Sequence, residues 1–329
     1  MDKSMTAADL PLIVVWRVTG ACRLSCKFCG YSRTVDRRRT HADVAEVLRI
    51  GRILGEYSRQ SEVPVLVSWL GGEPLEWPPW AELSRIFREE FGLEQGVTTS
   101  GRPLQSQAIR QLLCATHDQV TVSIDGLAPF HDDVRRCRDL FNAVRGYVAS
   151  LREESDGRLL LRVNTILMRG NIGAFAVLCE EMAAWGFHEL TFNQLGGNDR
   201  PEFFPDNCLL PEQVEQFRRE LPAVRRAMAR RGLRIRGSDR YLERIAHTTR
   251  GQPIPVSDCS PGKRFLFIDE YGRVSPCSFT PEEYGVPLTQ IASVETLRAL
   301  PHLFWGARHA RPSAACANCH ATHVFDKFC

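Results

Sequence analysis

No stretch of this 329-residue chain is apolar for long enough to cross a membrane, and the run Leu12 to Trp16 falls short of a signal-peptide core. The segment before it, Met1 to Leu10, carries one Lys and two Asp. A cytoplasmic protein with no membrane partner is therefore expected. An excess of charge is also lacking: 42 basic residues face 39 acidic ones, a formal +3, too little to point to a polyanion. The basic residues are almost all Arg and follow helix-period segments, as at Arg218, Arg219, Arg225, Arg226, Arg230 and Arg231. Solvated helix faces account for them, and no nucleic-acid partner is expected. Internal repeats and low-complexity tracts are absent. With 43% hydrophobic and 25% charged residues, little of the chain is expected to be disordered.

Short β-rich apolar runs alternate with longer helix-period segments from Leu12 to about Asn193, the pattern of repeated βα units on a parallel sheet. Strands are expected at Ile13 to Val18, Val65 to Leu70, Gly96 to Thr99, Val120 to Ile124, Leu159 to Ile166 and Glu189 to Asn193. Helices are expected at Ala42 to Tyr57, Trp80 to Glu90, Leu104 to Ala115, Leu140 to Glu153 and Ile172 to Trp185. Six such units predict an α/β fold, a partial (β/α)6 TIM-like barrel with a small Cys-rich α+β extension at its C-terminal end. A closed eight-unit barrel and an open doubly wound sheet are the competitors. The expected organisation is a barrel over residues 1–200, a helical linker region over 201–257 and a Cys-rich domain over 258–329. The middle region carries helices at Pro211 to Arg231 and Asp239 to Thr249, followed by a linker at Gln252 to Val256. In the last, Phe265 to Asp269 and Arg273 to Pro276 flank Glu270-Tyr271-Gly272 as a hairpin, and Ser293 to Leu300 reads as a helix.

Twelve cysteines are many for a chain expected in a reducing compartment, where metal or cluster ligation explains them better than disulfides. Cys22, Cys26 and Cys29 follow the first strand, so the barrel expectation puts them in a loop at the C-terminal mouth, where barrel active sites are built. Three closely spaced thiolates suit three irons of a four-iron four-sulfur (4Fe-4S) cluster, leaving the fourth iron open to a small molecule. Zinc and chance are the alternatives. Random placement would give C-x3-C-x2-C in roughly one or two per cent of such chains, and a three-Cys loop lacks the second pair that structural zinc takes. Among the remaining features, Gly71-Gly72-Glu73-Pro74 follows the second strand, with glycines that let backbone approach a ligand. Ser123-Ile124-Asp125-Gly126 ends the fourth strand, with His131 and Arg135 downstream.

The spacing of Cys22, Cys26 and Cys29, with an aromatic, Phe28, before the last of them, resembles the radical SAM superfamily. That resemblance implies a 4Fe-4S cluster that binds S-adenosyl-L-methionine (SAM) and cleaves it to a 5'-deoxyadenosyl radical. It implies that the backbone of Gly71, Gly72, Glu73 and Pro74 meets the SAM amino group. By the same likeness Ser123 and Arg135 serve the ribose and carboxylate, and Asn193 and Leu195 lie where the adenine is laid. A reducing partner such as flavodoxin or ferredoxin is implied as well.

Two further cysteine pairs, Cys259 with Cys277 and Cys316 with Cys319, would complete a four-thiolate cage for zinc or for a cluster on spacing alone. The pattern C-x12-G-x4-C followed by C-x2-C resembles the "twitch" or truncated SPASM extension. It implies one auxiliary 4Fe-4S cluster held by these four residues, with Cys329 as a further candidate ligand. Full SPASM domains carry more cysteines, and sulfatase-maturing relatives carry an acidic residue where Ser278 stands here, which argues against that chemistry. Cys114 and Cys179 read as core residues of amphipathic helices. Cys137 and Cys208 border the expected mouth, where a thiol is a candidate hydrogen donor. An auxiliary cluster is a natural electron acceptor, so oxidative modification of a natural-product intermediate, small molecule or ribosomal peptide, is expected. No peptide-recognition domain fits before Ile13, which tilts the expectation slightly toward a small substrate. Two rivals are a redox-neutral radical epimerase with a Cys hydrogen donor and a non-catalytic zinc or cysteine scaffold protein.

Overall fold

A computed structural model describes residues 10–252 and 259–319. In chain order β1 (Leu12–Thr19), α1 (Val44–Ser61), β2 (Val65–Gly71), α2 (Trp80–Glu89), β3 (Glu94–Thr99) and α3 (Gln107–Thr116) come first. They are followed by β4 (Gln119–Ser123), α4 (Ala128–Arg135), α5 (Leu140–Ser155), β5 (Leu160–Leu167), α6 (Phe175–Trp185) and β6 (Glu189–Gln194). Each strand from β1 to β6 pairs in parallel with the next. The six expected βα units are therefore present, with every strand within about two residues of its sequence-based bounds.

The sheet reaches further on both sides. After α7 (Phe204–Asn207) and α8 (Pro211–Ala229), the two-residue β7 (Arg234–Ile235) adds in parallel to β6. The stretch expected as a helical linker thus contributes to the barrel wall, and α9 (Asp239–Thr249) follows it. On the far side β8 (Phe265–Ile268) lies parallel to β1, and β9 (Arg273–Ser275) returns antiparallel as the expected hairpin. Then come α10 (Pro281–Tyr284), β10 (Val286–Pro287), α11 (Val294–Ala310) and α12 (Ala314–Ala317). The strand order is β10-β9-β8-β1-β2-β3-β4-β5-β6-β7, an open arc that ends at β7 and β10. Most of the linker expected at Gln252 to Val256, and Cys329, lie outside the described residues.

Alternation along the strands sorts side chains to two faces. Val14, Trp16 and Val18 of β1, with Val67 and Trp69 of β2, join one large core under the helices, while Ile13, Val15, Leu66 and Phe267 form a separate apolar cluster. The Trp16 and Trp69 rings stack 6.1 Å apart, and Phe87 of α2 lies 4.9 Å from Trp69. Burying each such ring contributes about 2–3 kcal/mol. Two glycines let α1 come down on this layer: a Cβ on Gly55 would lie 2.6 Å from the Phe91 carbonyl oxygen, and one on Gly51 2.6 Å from a ring carbon of Phe87. The extension is fastened to the barrel by Arg49 of α1, which donates to the carbonyls of Leu288 and Ile291.

One helix is longer than its sequence suggests. α11 continues past Leu300 through Pro301 to Ala310. Proline forfeits one backbone hydrogen bond, but Leu300 and Phe304 on either side of it are fully buried, and that packing outweighs the lost bond.

Candidate active site

Because β1 to β6 and β8 run the same way, their C-terminal ends form one rim. The loop from Gly20 to Ala42 leaves β1 there and carries Cys22, Cys26 and Cys29. Arg39 braces it: one guanidinium donates to the carbonyls of Gly20, Tyr31, Ser32 and Val35. Sequence reading missed Arg39, since nothing local marks an Arg as the clamp of its own loop. The Leu24 amide donates to the Cys22 sulfur at 3.4 Å and the Tyr31 amide to the Cys29 sulfur at 3.3 Å. None of the three thiols is in a disulfide.

Burial pushes the Cys22 thiol up to about 12 and the Cys26 thiol up to about 11, and it raises Cys29 too; Cys22 and Cys26 also feel the charge of another cysteine of the set. Three soft donors that stay neutral when alone suit a site where bound metal takes the thiolate charge. Among the described residues no three His, Cys, Asp or Glu side chains converge on one ion position. In a cubane each thiolate holds its own iron, so three separate thiols of one loop suit three of its corners. The donor set fits the cluster.

Gly71 and Gly72 are stitched to this loop. The Gly72 amide donates to Thr19 O at 2.7 Å and the Glu73 amide to Ala21 O at 2.9 Å. A Cβ on Gly72 would overlap the Ala21 carbonyl, so only glycine permits this approach. The Glu73 side chain turns into the protein instead. Its carboxylate accepts from Thr99 Oγ1 at 2.9 Å, from the Ser100 amide at 2.9 Å, from Ser100 Oγ at 2.5 Å and more weakly from the Leu75 amide at 3.4 Å. Burial raises its pKa while these donors oppose the rise. Pro74 opens a short 3-10 turn after it.

Across the rim, Arg135 at the end of α4 is buried and donates to Asp125 at 2.8 Å, with its guanidinium 5.7 Å from the Phe28 ring. Asp125, fully buried, also accepts from the Ile166 amide at 3.0 Å. What sequence alone reads as an Asp-Gly turn is therefore an anchor between β4, α4 and β5. The Asp125 amide donates to His131 Nδ1 at 3.1 Å, and burial pushes that imidazole down to about 2, so it is neutral. Ser123 ends β4 half-buried. Asn193 Nδ2 donates to Asn164 Oδ1 at 3.1 Å, and the Leu195 amide donates to Leu167 O at 3.0 Å.

The second cysteine set lies toward the open end of the β8–β9 hairpin. Burial pushes the Cys277 thiol up to about 11, with further contributions from Cys319 and Cys316, and Cys277 Sγ lies 3.2 Å from Thr280 Oγ1. Cys259 Sγ accepts from Arg308 Nη1 of α11 at 2.9 Å. Cys179 is fully buried and Cys114 half-buried, as their helical spacing suggests. Cys137 is half-buried as well, and Cys208 sits 3.7 Å from Arg169 Nη2.

The hairpin's turn end touches the first cysteine loop. Glu270 pairs with Arg17 of β1 and accepts from the Tyr31 hydroxyl at 3.2 Å. Neither Glu270 nor Arg17 is singled out by sequence, although a charged residue inside the apolar run of β1 is a signal in retrospect. Residues 16–170 match the family model described as Radical SAM superfamily. Among curated proteins, the AdoMet-dependent heme synthase of Methanosarcina barkeri (strain Fusaro / DSM 804) is 26% identical over 83% of this chain and 78% of its own. The PqqA peptide cyclase of Gluconobacter oxydans (strain 621H) is 26% identical over 83% of this chain and 72% of its own. Streptococcus suis SuiB bound to S-adenosylmethionine shares the fold, with a TM-score of 0.66 at 16% identity over 96% of this chain and 74% of that one.

Proposed function

Membership of the radical SAM superfamily is supported by the family match and the curated relatives, and on that premise we propose an oxidative radical enzyme acting on a natural-product intermediate. Its substrate is a small molecule or a ribosomal peptide. The observation that carries this reading is the joining of the three-sulfur loop to the backbone of Gly71, Gly72 and Glu73 at the strand ends. When bound, a 4Fe-4S cluster and SAM supply a 5'-deoxyadenosyl radical able to take hydrogen from an unactivated carbon.

The residues of the rim hold and orient. Cys22, Cys26 and Cys29 are the ligands, and the Leu24 and Tyr31 amides donate to two of their sulfurs. The Glu73 carboxylate, by gripping Ser100 and Thr99, fixes the Gly71 to Pro74 backbone that would meet SAM's amino group. Arg135 places a cation beside Cys26 and Cys29 and, with Ser123, meets the ribose and carboxylate side of SAM. The backbone at Asn193 and Leu195 receives the adenine. Cys259, Cys277, Cys316 and Cys319 would hold one auxiliary 4Fe-4S cluster, which would offer an electron acceptor for oxidation, and a flavodoxin or ferredoxin would be the reducing partner. The name of the PqqA peptide cyclase supports a peptide as one substrate class for this chain.

The test is anaerobic purification, iron analysis and reduction with dithionite in the presence of SAM. About eight irons per chain are expected from two cubanes, together with methionine and 5'-deoxyadenosine. An iron-loaded protein that leaves SAM intact would sink the reading, and a colourless protein holding zinc would replace it with the scaffold reading. With a substrate in hand, loss of two electrons without uptake of solvent deuterium separates oxidation from epimerisation.

A further inference from the structure

The hairpin turn and the first cysteine loop border an open, solvent-facing cavity of about 650 Å³ lined by Arg17, Tyr31, Arg37, Asp199, Tyr271 and Arg273, among others. Its volume is that of a small-ligand site. Most of its charges are cancelled locally. Arg17 is paired with Glu270, and Arg273 is paired with Asp269 and Glu282 at 2.8 Å each. Two charges are left over. Arg37 lies 4.6 Å from the Tyr31 ring and hydrogen-bonds Tyr271; it feels the Glu270 carboxylate, already paired with Arg17, but forms no ion pair of its own among the described residues. Asp199 has neither an ion pair nor a hydrogen bond among the described residues.

Arg37 is held against Tyr31, whereas Asp199 is exposed. Tyr31 is gripped between Arg17, 5.3 Å from its ring, and Arg37, and its hydroxyl is tied to Glu270. Asp199 lies over Gly30, where a Cβ would stand 3.0 Å from its Cγ, so the missing side chain lets the carboxylate reach the cysteine loop. One uncancelled cation and one uncancelled carboxylate thus face one cavity. The Tyr31 amide, on the same residue that forms the wall, donates to the Cys29 sulfur. A group bound against Tyr31 stands two residues along the chain from Cys29.

We propose that this cavity receives a zwitterionic, amino-acid-like substrate, a free amino acid or a short peptide carrying both termini. Its carboxylate meets Arg37 and its ammonium meets Asp199. The inference rests on the proposed function, whose substrate class it narrows, but its test does not depend on turnover.

Equilibrium dialysis of the anaerobic holoprotein against labelled triglycine is compared with triglycine amide, acetyl-triglycine and acetyl-triglycine amide. The zwitterion is expected to bind best and the doubly blocked peptide worst. Arg37→Met is expected to weaken triglycine about tenfold, as the loss of a charged hydrogen bond does, while leaving triglycine amide unchanged. Asp199→Asn is expected to weaken triglycine similarly and leave acetyl-triglycine unchanged. Equal binding of all four peptides overturns the proposal, as does displacement of triglycine by saturating SAM. So does the lack of saturable triglycine binding below ~10 mM, a range that even a weak specific site reaches. Dithionite-driven SAM cleavage is measured separately on the wild-type protein. Its absence would remove the proposed function and leave the dialysis result standing.

Discussion

The two cysteine sets are built in opposite ways. Cys22, Cys26 and Cys29 fall within eight residues of one loop, whose backbone is braced by a single guanidinium from the same loop. Cys259, Cys277, Cys316 and Cys319 are scattered over some sixty residues, on either side of a hairpin and in and after α12. The loop places its sulfurs at little cost in chain entropy, whereas the second set depends on long-range closure. The hairpin joins the two, with Glu270 at its turn held to Arg17 and Tyr31 and Cys277 at its open end.

The sharpest way to break this comparison is to remove one sulfur from each set. Cys26→Ser is expected to abolish dithionite-driven SAM cleavage outright. Cys316→Ser is expected to lose about half of the iron of two cubanes while SAM cleavage persists, read by iron assay and chromatography of 5'-deoxyadenosine. Equal losses in both variants would mean that the sets are not independent.

The next effect concerns the anchors around the first set. Arg135→Leu strands the buried Asp125 carboxylate and is expected to cost about 3–5 kcal/mol of stability, measured by denaturant unfolding of the metal-free protein. Glu73→Gln turns an amide NH2 toward groups that already donate, and a loss of about 2 kcal/mol is expected. A neutral result at Glu73 would show that its four contacts do not hold the third strand's end against the glycine turn.

A smaller effect is set by pH. The Cys22 and Cys26 thiols, ordinarily near 9, are raised by burial to about 12 and about 11 in the metal-free fold. The folded state then holds protons that the unfolded chain releases. This contribution is full below pH 9 and is lost as pH rises toward 11 to 12. The thermal midpoint of metal-free protein should fall over that window, and less so once all three cysteines are replaced by Ala. The smallest effect is expected at the second set. Arg308→Met removes a cation from the Cys259 sulfur, so the auxiliary cluster should still assemble but with a lower reduction potential, followed by spectroscopic titration.

Much of this was decided by sequence alone, because the signals are local. Alternating apolar runs dictate the six strands, and the first cysteine set is legible since its ligands, their spacing and their position after β1 all lie in one short segment. The proline inside α11 misled for the converse reason: its cost is local, but the burial of Leu300 and Phe304 that outweighs it is tertiary. Strands β7 and β8 could be placed only in three dimensions, since strand neighbours far apart in sequence leave no periodic trace. The same holds for the inward turn of Glu73, the pairing of Arg135 with Asp125, and the bonds that Arg17 and Tyr31 both make to Glu270. The chain's local chemistry chose a three-sulfur loop at a strand end, and only long-range packing decided which charges around it are cancelled and which two are left to face a ligand.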